Sequence, residues 1–526
     1  MIRIFLMAVL ATRLFAQNVT ADQLNNALGD RKNWLTYWGD YSGVRHRELD
    51  QINTGNVQKL QLAWQYQTGR GGSMETVPLV VDGVMYVTAG DGAAMALDAK
   101  TGRRLWEYKH RYPDARKPTA VNRGFAILGS TLFMVTPDSQ VIAIEASTGK
   151  LIWQAEMAPW KDGTHYATLA PLVVKDKVIV GISGGEQGVR GFIDAYDVKT
   201  GKRVWRFWTV PLRGEKGGDT WLGDSAQRGG GPVWMTGTYD PKLNLTYWGV
   251  GNPGPDLYGD VRKGDNLYSC SLVALNPDTG KLKWHFQFTP HDTHDWDAAE
   301  TPMLLDLPWQ GKPRKLVVQA NRNAFYYVLD RETGEFLMGK PFMKQTWAKG
   351  LDDKGRPILL GNAEPTTEGN RVCPGLAGGA NWMAPSYNPQ TKLFYFQVRD
   401  TCDIFYAAAP VYVEGRPYWG SVFRGVNDEK ESGMLMALDP VTGEQKWTFR
   451  YNRAPWAGTL STSGGLIFSG DEDGYLMAFD AKTGKNLWKV YTGARLVTAP
   501  ITYLLDGKQY LTMPAGAAVM TFVLPE

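Results

Sequence analysis

The sequence predicts an all-β fold, an eight-bladed β-propeller with tryptophan-docking repeats, and three observations point to it. A phrase of the form A-x-D-x-x-T-G-x-x-x-W recurs along the chain, at residues 96–106, 143–153, 195–205, 274–284, 437–447 and 478–488. A seventh copy from Val328 to Gly334 keeps the turn but carries Met338 in place of tryptophan. The composition agrees: 59 glycines, 20 tryptophans and 24 tyrosines among 526 residues suit many short strands joined by tight turns.

Residues 1–16 read as a secretory leader. Arg3 supplies the positive end, 4–11 an apolar run, and Ala16 a small residue before Gln17. That run is too short for a bilayer, and no later run reaches the ~20 residues a spanning helix needs. The reading is therefore an exported, soluble protein with no transmembrane anchor, located in the periplasm, with residues 17–526 forming one propeller domain. The formal charge of +4 falls to +2 without Arg3 and Arg13, and no basic run with interleaved aromatics is present, so nucleic acid is not expected as a partner.

The repeats start 47, 52, 79, 54, 109 and 41 residues apart. The interval of 79 reads as one unit with an insertion, and the interval of 109 as two units, with a degenerate copy around residues 387–396. About eight units result, each a strand, an Asp-x-x-Thr-Gly turn and a strand, preceded by further alternating segments such as 79–87. The tryptophan at a fixed offset is expected to pack flat between neighbouring blades against a turn glycine. Ring closure is expected near residues 60–64 and 509–513.

Chemistry is expected where the repeat is broken. The segments 74–78, 121–124, 181–191, 228–234, 248–256, 321–323, 378–382 and 455–458 all depart from it. They hold hard oxygens at Glu186 and Asn252, guanidinium forks at Arg123 and Arg322, and flat rings at Trp234 and Trp456. Glycines around Glu186 and Trp234 let backbone approach a ligand. The densest stretch, residues 291–300, packs two histidines, three aspartates and a glutamate into a loop after the alternating segment 281–290. Asp295 and Asp297 can face one point if the backbone is extended, which suggests a hard cation with a base beside it. Together these groups describe a pocket for a planar, multiply anionic molecule bound to a metal.

Three cysteines are few for an exported protein. Cys373 and Cys402, 29 apart, can bridge neighbouring strands in an oxidising compartment, which leaves Cys270 free. No C-x-x-C-H occurs, so no covalently attached haem belongs to the chain.

With these motifs in view, residues 30–525 resemble the quinoprotein alcohol dehydrogenases of the methanol/ethanol family, which hold pyrroloquinoline quinone (PQQ) and a metal in an eight-bladed propeller. The resemblance implies Glu186, Asn252 and Asp295 as metal ligands, with Asp295 also the catalytic base. It implies Glu75, Arg123, Thr168, Ser183, Gly184, Gly185, Arg322, Asn381 and Trp456 as residues holding the quinone, Trp234 as the ring on which it lies, and Cys373–Cys402 as a disulfide. Asp297 resembles the second aspartate of the lanthanide-using branch, where calcium members have a small uncharged residue. A lanthanide ion is thus expected, with Ca²⁺ as the alternative. Two features depart from the family: Lys117 and Pro118 stand where adjacent cysteines are common, and Pro232 replaces a threonine.

The implied activity is oxidation of small alcohols, primary ones by family default, to aldehydes or ketones. Asp295 would take the hydroxyl proton, Arg322 would balance charge on the reduced quinone, and electrons would leave to a separate cytochrome c. The competing readings are a sugar or polyol quinoprotein dehydrogenase and a non-catalytic envelope scaffold. A homodimer is compatible with the sequence, which does not specify the oligomeric state.

Overall fold

Each Asp-x-x-Thr-Gly turn joins the third and fourth strands of an antiparallel sheet, and its residue types follow from its geometry. At the first copy Asp98 Oδ1 accepts hydrogen bonds from the backbone N–H groups of Lys100 (3.0 Å) and Thr101 (2.9 Å), while Gly102 N–H donates to Asp98 O (2.8 Å). Asp197, Asp330, Asp439 and Asp480 accept in the same way. Gly102 has φ +74°, a backbone region costly for residues with a Cβ, and an added Cβ would lie 2.5 Å from the Trp64 ring. The indole Nε1–H of Trp64 donates to Ala99 O at 3.2 Å.

This contact repeats along the chain and ties each sheet to the next. Trp106 donates to Ala146 O, Trp153 to Val198 O, Trp205 to Pro277 O, Trp284 to Arg331 O and Trp447 to Ala481 O. Met338 keeps the packing without the hydrogen bond: its Cε would lie 3.1 Å from a Cβ on Gly443. Trp488 packs edge-on to Phe522 at 5.8 Å. The tryptophans thus serve the joints between sheets, as the repeat predicts.

The computed structural model describes residues 18–113, 121–160, 164–426 and 432–525. The expected leader, 1–16, and the departures at Lys117 and Pro118 lie outside the described residues. Among the described residues the fold is an all-β propeller with seven four-stranded sheets and one five-stranded sheet, plus two smaller ones. One large sheet joins the two ends of the chain: Gln61–Gln67 pairs antiparallel with Ala518–Val523, followed by Lys508–Ala515 and Ile501–Leu505. Closure thus falls where the sequence places it, with the direct partner of the early strand being the last strand rather than residues 509–513.

One expectation is corrected. Residues 387–396 do not form a separate degenerate unit. Ser386–Asn388 and Leu393–Asp400 share a sheet with Ser432–Leu438 and Gln445–Tyr451, the strands of the 437–447 repeat. The long interval is one unit with large insertions, which include the pair Ala348–Leu351 and Pro357–Leu359 and the three-stranded sheet of Asn370–Val372, Asp403–Phe405 and Phe423–Gly425. The unit without a repeat phrase is the sheet shared by the chain ends.

The N-terminal segment packs into the ring. His46–Arg47 adds a parallel fifth strand to Leu460–Thr462, and the fully buried Arg45 and Arg47 lie over the Trp34 ring at 5.0 and 4.4 Å. Arg45 spends its donors on the carbonyls of Thr459, Tyr37 and Pro500, which satisfies a buried cation without a carboxylate. A disulfide joins Cys373 and Cys402, and Cys270 is free and buried. No helix among the described residues is long and apolar enough to cross a membrane.

Removing one docking ring should open a joint. Trp447→Ala is expected to lower stability by about 3–5 kcal/mol, the range for deleting a large buried aromatic, read as a fall in melting temperature. An unchanged melting temperature would contradict the role given to the repeat tryptophan.

Candidate functional site

The predicted site residues fall on one rim of the ring because of where they sit relative to their strands. In an antiparallel sheet the chain enters the first strand and leaves the second at the same end. Glu75, Arg123, Thr168, Trp234, Asp295 with Asp297, Asn381 and Trp456 each lie shortly before the first strand of successive sheets. Residues 183–186, Asn252 and Arg322 follow second strands. The entering segments are stitched side by side: Val77 N–H donates to Arg123 O and Arg123 N–H to Thr168 O, both at 3.0 Å.

These loops surround a cavity of about 310 Å³ lined by Val121, Arg123, Tyr166, Thr168, Ser183, Gly184, Glu186, Pro232, Trp234, Asp295, Asp297 and Arg322. Its volume falls within the range of small-ligand and cofactor sites. On one side Arg123 pairs with Glu75 Oε2 at 2.6 Å and donates to Thr168 Oγ1 at 2.7 Å, with Ser183 Oγ 3.3 Å beyond. The Arg123 guanidinium stands 4.9 Å over the Trp234 ring and 5.2 Å over Trp382, and Trp382 stacks on Trp456 with centroids 6.2 Å apart. Glu75 and Trp456 therefore reach the cavity through Arg123 and Trp382.

On the opposite side Arg322 is the hub. Its Nη1 donates to the Asp295 carbonyl oxygen and lies 3.6 Å from Asp295 Oδ2, while Nη2 lies 3.4 Å from Asp297 Oδ2 and 3.5 Å from Asn381 Oδ1. Asp297 accepts from Trp234 Nε1–H and from Asn252 N–H, each at 2.6 Å. It thereby locks the indole that floors the cavity to the loop carrying Asn252. Asp295 has φ +61°, so the acidic loop turns sharply at that residue rather than running extended. Asp297 nevertheless joins it in the wall.

Glycine and proline set the backs of the two oxygen-bearing loops. A Cβ on Gly185 or Gly251 would meet the Pro232 ring at 2.8 and 2.7 Å. Pro232 is thus wedged beneath both the Glu186 and the Asn252 loops, where a threonine hydroxyl is absent. Gly184 has φ +102°.

The electrostatics are dominated by buried acids. Burial, the largest cause, pushes Asp295 well above the usual carboxylate range; Arg322 pulls it back, and Asp297, Asp256 and Glu186 push it further up. Burial likewise raises Glu186, with Asp297 adding to it, and Asp256, with Glu186 and Asp297 adding. Glu300, behind Arg322, is raised by burial to about 8. Asp295 and Asp297 turn to Arg322 and to N–H donors, and Glu186 to the Tyr166 hydroxyl. Among the described residues no group of three or more His, Cys, Asp or Glu side chains gathers around one point. Yet the buried oxygens Asn252 Oδ1, Asp256 Oδ1 and Glu300 Oε1 have no hydrogen-bond partner. Unpartnered hard oxygens among mutually destabilised acids are the donor set that a hard cation fits.

Tyr166, Trp382 and Asp256 belong to this neighbourhood and escape a reading of single motifs, and Glu300 is the glutamate of the stretch 291–300. Tyr166 lines the cavity and hydrogen-bonds to Glu186. Trp382 and Asp256 end two of the segments that break the repeat, which is the one signal that marks them.

Comparison with known proteins bears on this arrangement. The family model for the "PQQ: Glucose/ethanol/alcohol dehydrogenase, beta-propeller domain" matches residues 34–341 and 451–511. The quinoprotein alcohol dehydrogenase PedH of Pseudomonas putida is 38% identical over 505 residues, covering 90% of this chain and 84% of its own length. The lanthanide-dependent methanol dehydrogenase of Methylacidiphilum fumariolicum is 36% identical over 519 residues, 92% of this chain and 84% of that protein. The solved structure of a europium-containing methanol dehydrogenase superimposes with a TM-score of 0.90 at 34% identity, covering 96% of this chain and all of that one, 100%.

The raised acids make stability depend on pH with a definite sign. Glu300 has a folded value of about 8 against 4.5 unfolded, so its contribution is complete below about 4.5 and is lost as pH rises through about 8. Metal-free protein should therefore melt at progressively lower temperature between about pH 5 and pH 9. Glu300→Gln should flatten that slope and raise the melting temperature at the alkaline end. An unchanged slope in the variant would contradict the assignment.

Proposed function

The chain belongs to the PQQ-dependent alcohol dehydrogenases with a β-propeller domain, and from that premise we propose that its cavity is the alcohol-oxidising centre of a periplasmic, eight-bladed quinoprotein. On this reading residues 17–526 form the propeller and residues 1–16 the export leader. The alcohols are small, primary ones foremost, and leave as aldehydes. The electrons pass to a separate cytochrome c.

The observation that carries this reading is the placement of Arg322. It stands 5.7 Å over the Trp234 ring and spans Asp295 and Asp297, while Arg123 stands over the same ring from the other side of the cavity. A flat apolar floor between two guanidinium forks suits a planar polyanion. Arg123, Thr168, Ser183, Gly184, Gly185, Trp234 and Arg322 would hold PQQ, with Glu75, Asn381 and Trp456 steadying them from behind. Glu186, Asn252, Asp295 and Asp297 would hold the metal. When bound, the quinone supplies the two-electron, hydride-accepting oxidant and the metal a Lewis acid.

The protein's own part is positioning and proton transfer. Asp295 lines the cavity beside Arg322, where its carboxylate accepts the alcohol's hydroxyl proton as the carbonyl forms. Arg322 keeps a fixed positive charge next to that carboxylate and next to the place where negative charge grows. Asp297 keeps lone pairs beyond those used by Trp234 and Asn252, so it can face a cation while holding the indole in place.

A trivalent lanthanide suits this set better than calcium, because three carboxylates around a divalent ion leave excess negative charge in a buried site. Two tests follow. Asp295→Asn should keep the fold and lower alcohol turnover by at least about a hundredfold, measured with an artificial acceptor; near-normal turnover would end its assignment as base. Metal-free protein with PQQ should regain activity with La³⁺ or Ce³⁺ in preference to Ca²⁺, and Asp297→Ala should remove that preference. Activity with Ca²⁺ alone, unchanged in Asp297→Ala, would reject the lanthanide reading.

A further inference from the structure

We propose that Asp256 is a further carboxylate of the metal centre, a fourth acid that adds its unpartnered oxygen to the cation's surroundings beside Asn252. The inference rests on the metal-binding reading above and extends it to a residue outside the ligand set of Glu186, Asn252, Asp295 and Asp297.

Asp256 closes the segment Asn252-Pro-Gly-Pro-Asp256, which leaves the second strand of its sheet at Gly249 and folds back under the site. It is 4% exposed and its Oδ1 has no hydrogen-bond partner; Asn252 is 1% exposed, and its Oδ1 has none either. The Asn252 side chain faces the Asp256 carboxylate. Asn252 Nδ2 donates to Pro253 O at 3.4 Å, within the segment that carries Asp256, which leaves the amide oxygen free to face a cation.

The nearby charges leave Asp256 unbalanced. Glu186 and Asp297 bear on it as like charges, and its own charge bears on Asp295. The cation on its other side is the fully buried Arg262. That guanidinium spends its donors elsewhere: Nε on Pro255 O (3.1 Å), Nη2 on the carbonyls of Pro255 (2.9 Å), Asp256 (3.2 Å) and Asp292 (2.6 Å), and Nη1 on Asn266 Oδ1 (2.9 Å). Arg262 thereby laces the Asn252–Asp256 loop to the Asp292–Asp297 loop and gives no hydrogen bond to the Asp256 carboxylate. A buried carboxylate whose Oδ1 has no donor, among acids that repel it, is a costly arrangement in the protein alone. A hard cation in the adjacent site removes the cost, and a trivalent one does so more completely.

The test is calorimetric titration of the full chain with La³⁺ and with Ca²⁺, metal-stripped and in the presence of PQQ, for wild type, Asp256→Asn and Glu186→Gln. Asp256→Asn should weaken La³⁺ binding at least about tenfold, with a smaller loss for Ca²⁺. Its metal-free form should melt at or above the wild-type temperature, because the variant removes a repelled charge. La³⁺ affinity within about twofold of wild type, or a metal-free variant that melts well below wild type, overturns the proposal, the second outcome marking Asp256 as a scaffold residue. Glu186→Gln separates the two levels: wild-type La³⁺ affinity there overturns the metal-centre reading itself, whereas loss there with no change in Asp256→Asn overturns the role of Asp256 alone. If the asparagine variant does not fold, Asp256→Ser takes its place under the same criteria.

Discussion

Repulsion among buried carboxylates is the constraint on which the rest of the structure depends. Glu186, Asp295 and Asp297 line one cavity and Asp256 is buried near them, where the low dielectric makes each negative charge raise the cost of the others. A chain free to relax would turn these side chains toward water. This one cannot, because Glu186 and Asp256 sit on loops that follow second strands, Asp295 and Asp297 on a segment entering a first strand, and the sheets are pinned to one another. Arg322 offsets part of the charge, Asn252 N–H and Trp234 Nε1–H hold one carboxylate still, and Arg262 ties two acidic loops together without neutralising them. On the metal-centre reading proposed above, this residual negative charge would favour a strongly charged cation.

The propeller provides the rigidity. A turn glycine with positive φ receives an indole from the preceding sheet, and the indole N–H finds a carbonyl of the same turn. Every such joint is far from the cavity rim, at the opposite end of the strands. Stability and chemistry therefore occupy opposite edges of the same sheets. Loops on the rim can accumulate glycine, proline and unpaired oxygen at little cost to the joints.

This division also explains how much could be read from sequence. The repeat is legible because the turn needs Asp98, Gly102 and Trp106 at fixed offsets, and those requirements recur unchanged. The sheet built from both chain ends carries no such phrase, and residues 387–396 resemble a unit of their own because strand pairing with residues 432–451 leaves no local mark. In the site, Glu186, Asn252, Asp295 and Arg322 stand out as chemically loaded breaks in the repeat. Tyr166 does not, since one aromatic among many has nothing local to distinguish a cavity wall from a joint, and Trp382 is marked only by ending a segment that breaks the repeat. The positive φ at Asp295 has no mark in the sequence either: the extended backbone that would let Asp295 and Asp297 face one point is absent at Asp295, yet both line the cavity.

The central claim is that one cavity holds both a quinone and a trivalent ion, with the ion among the acids and the quinone on Trp234. Anomalous diffraction from crystals grown with PQQ and a lanthanide tests it most directly. The account predicts one strong anomalous peak enclosed by Glu186, Asn252, Asp295 and Asp297, with planar density lying against the Trp234 ring between Arg123 and Arg322. A peak outside that set of side chains, or quinone density away from Trp234, would contradict it.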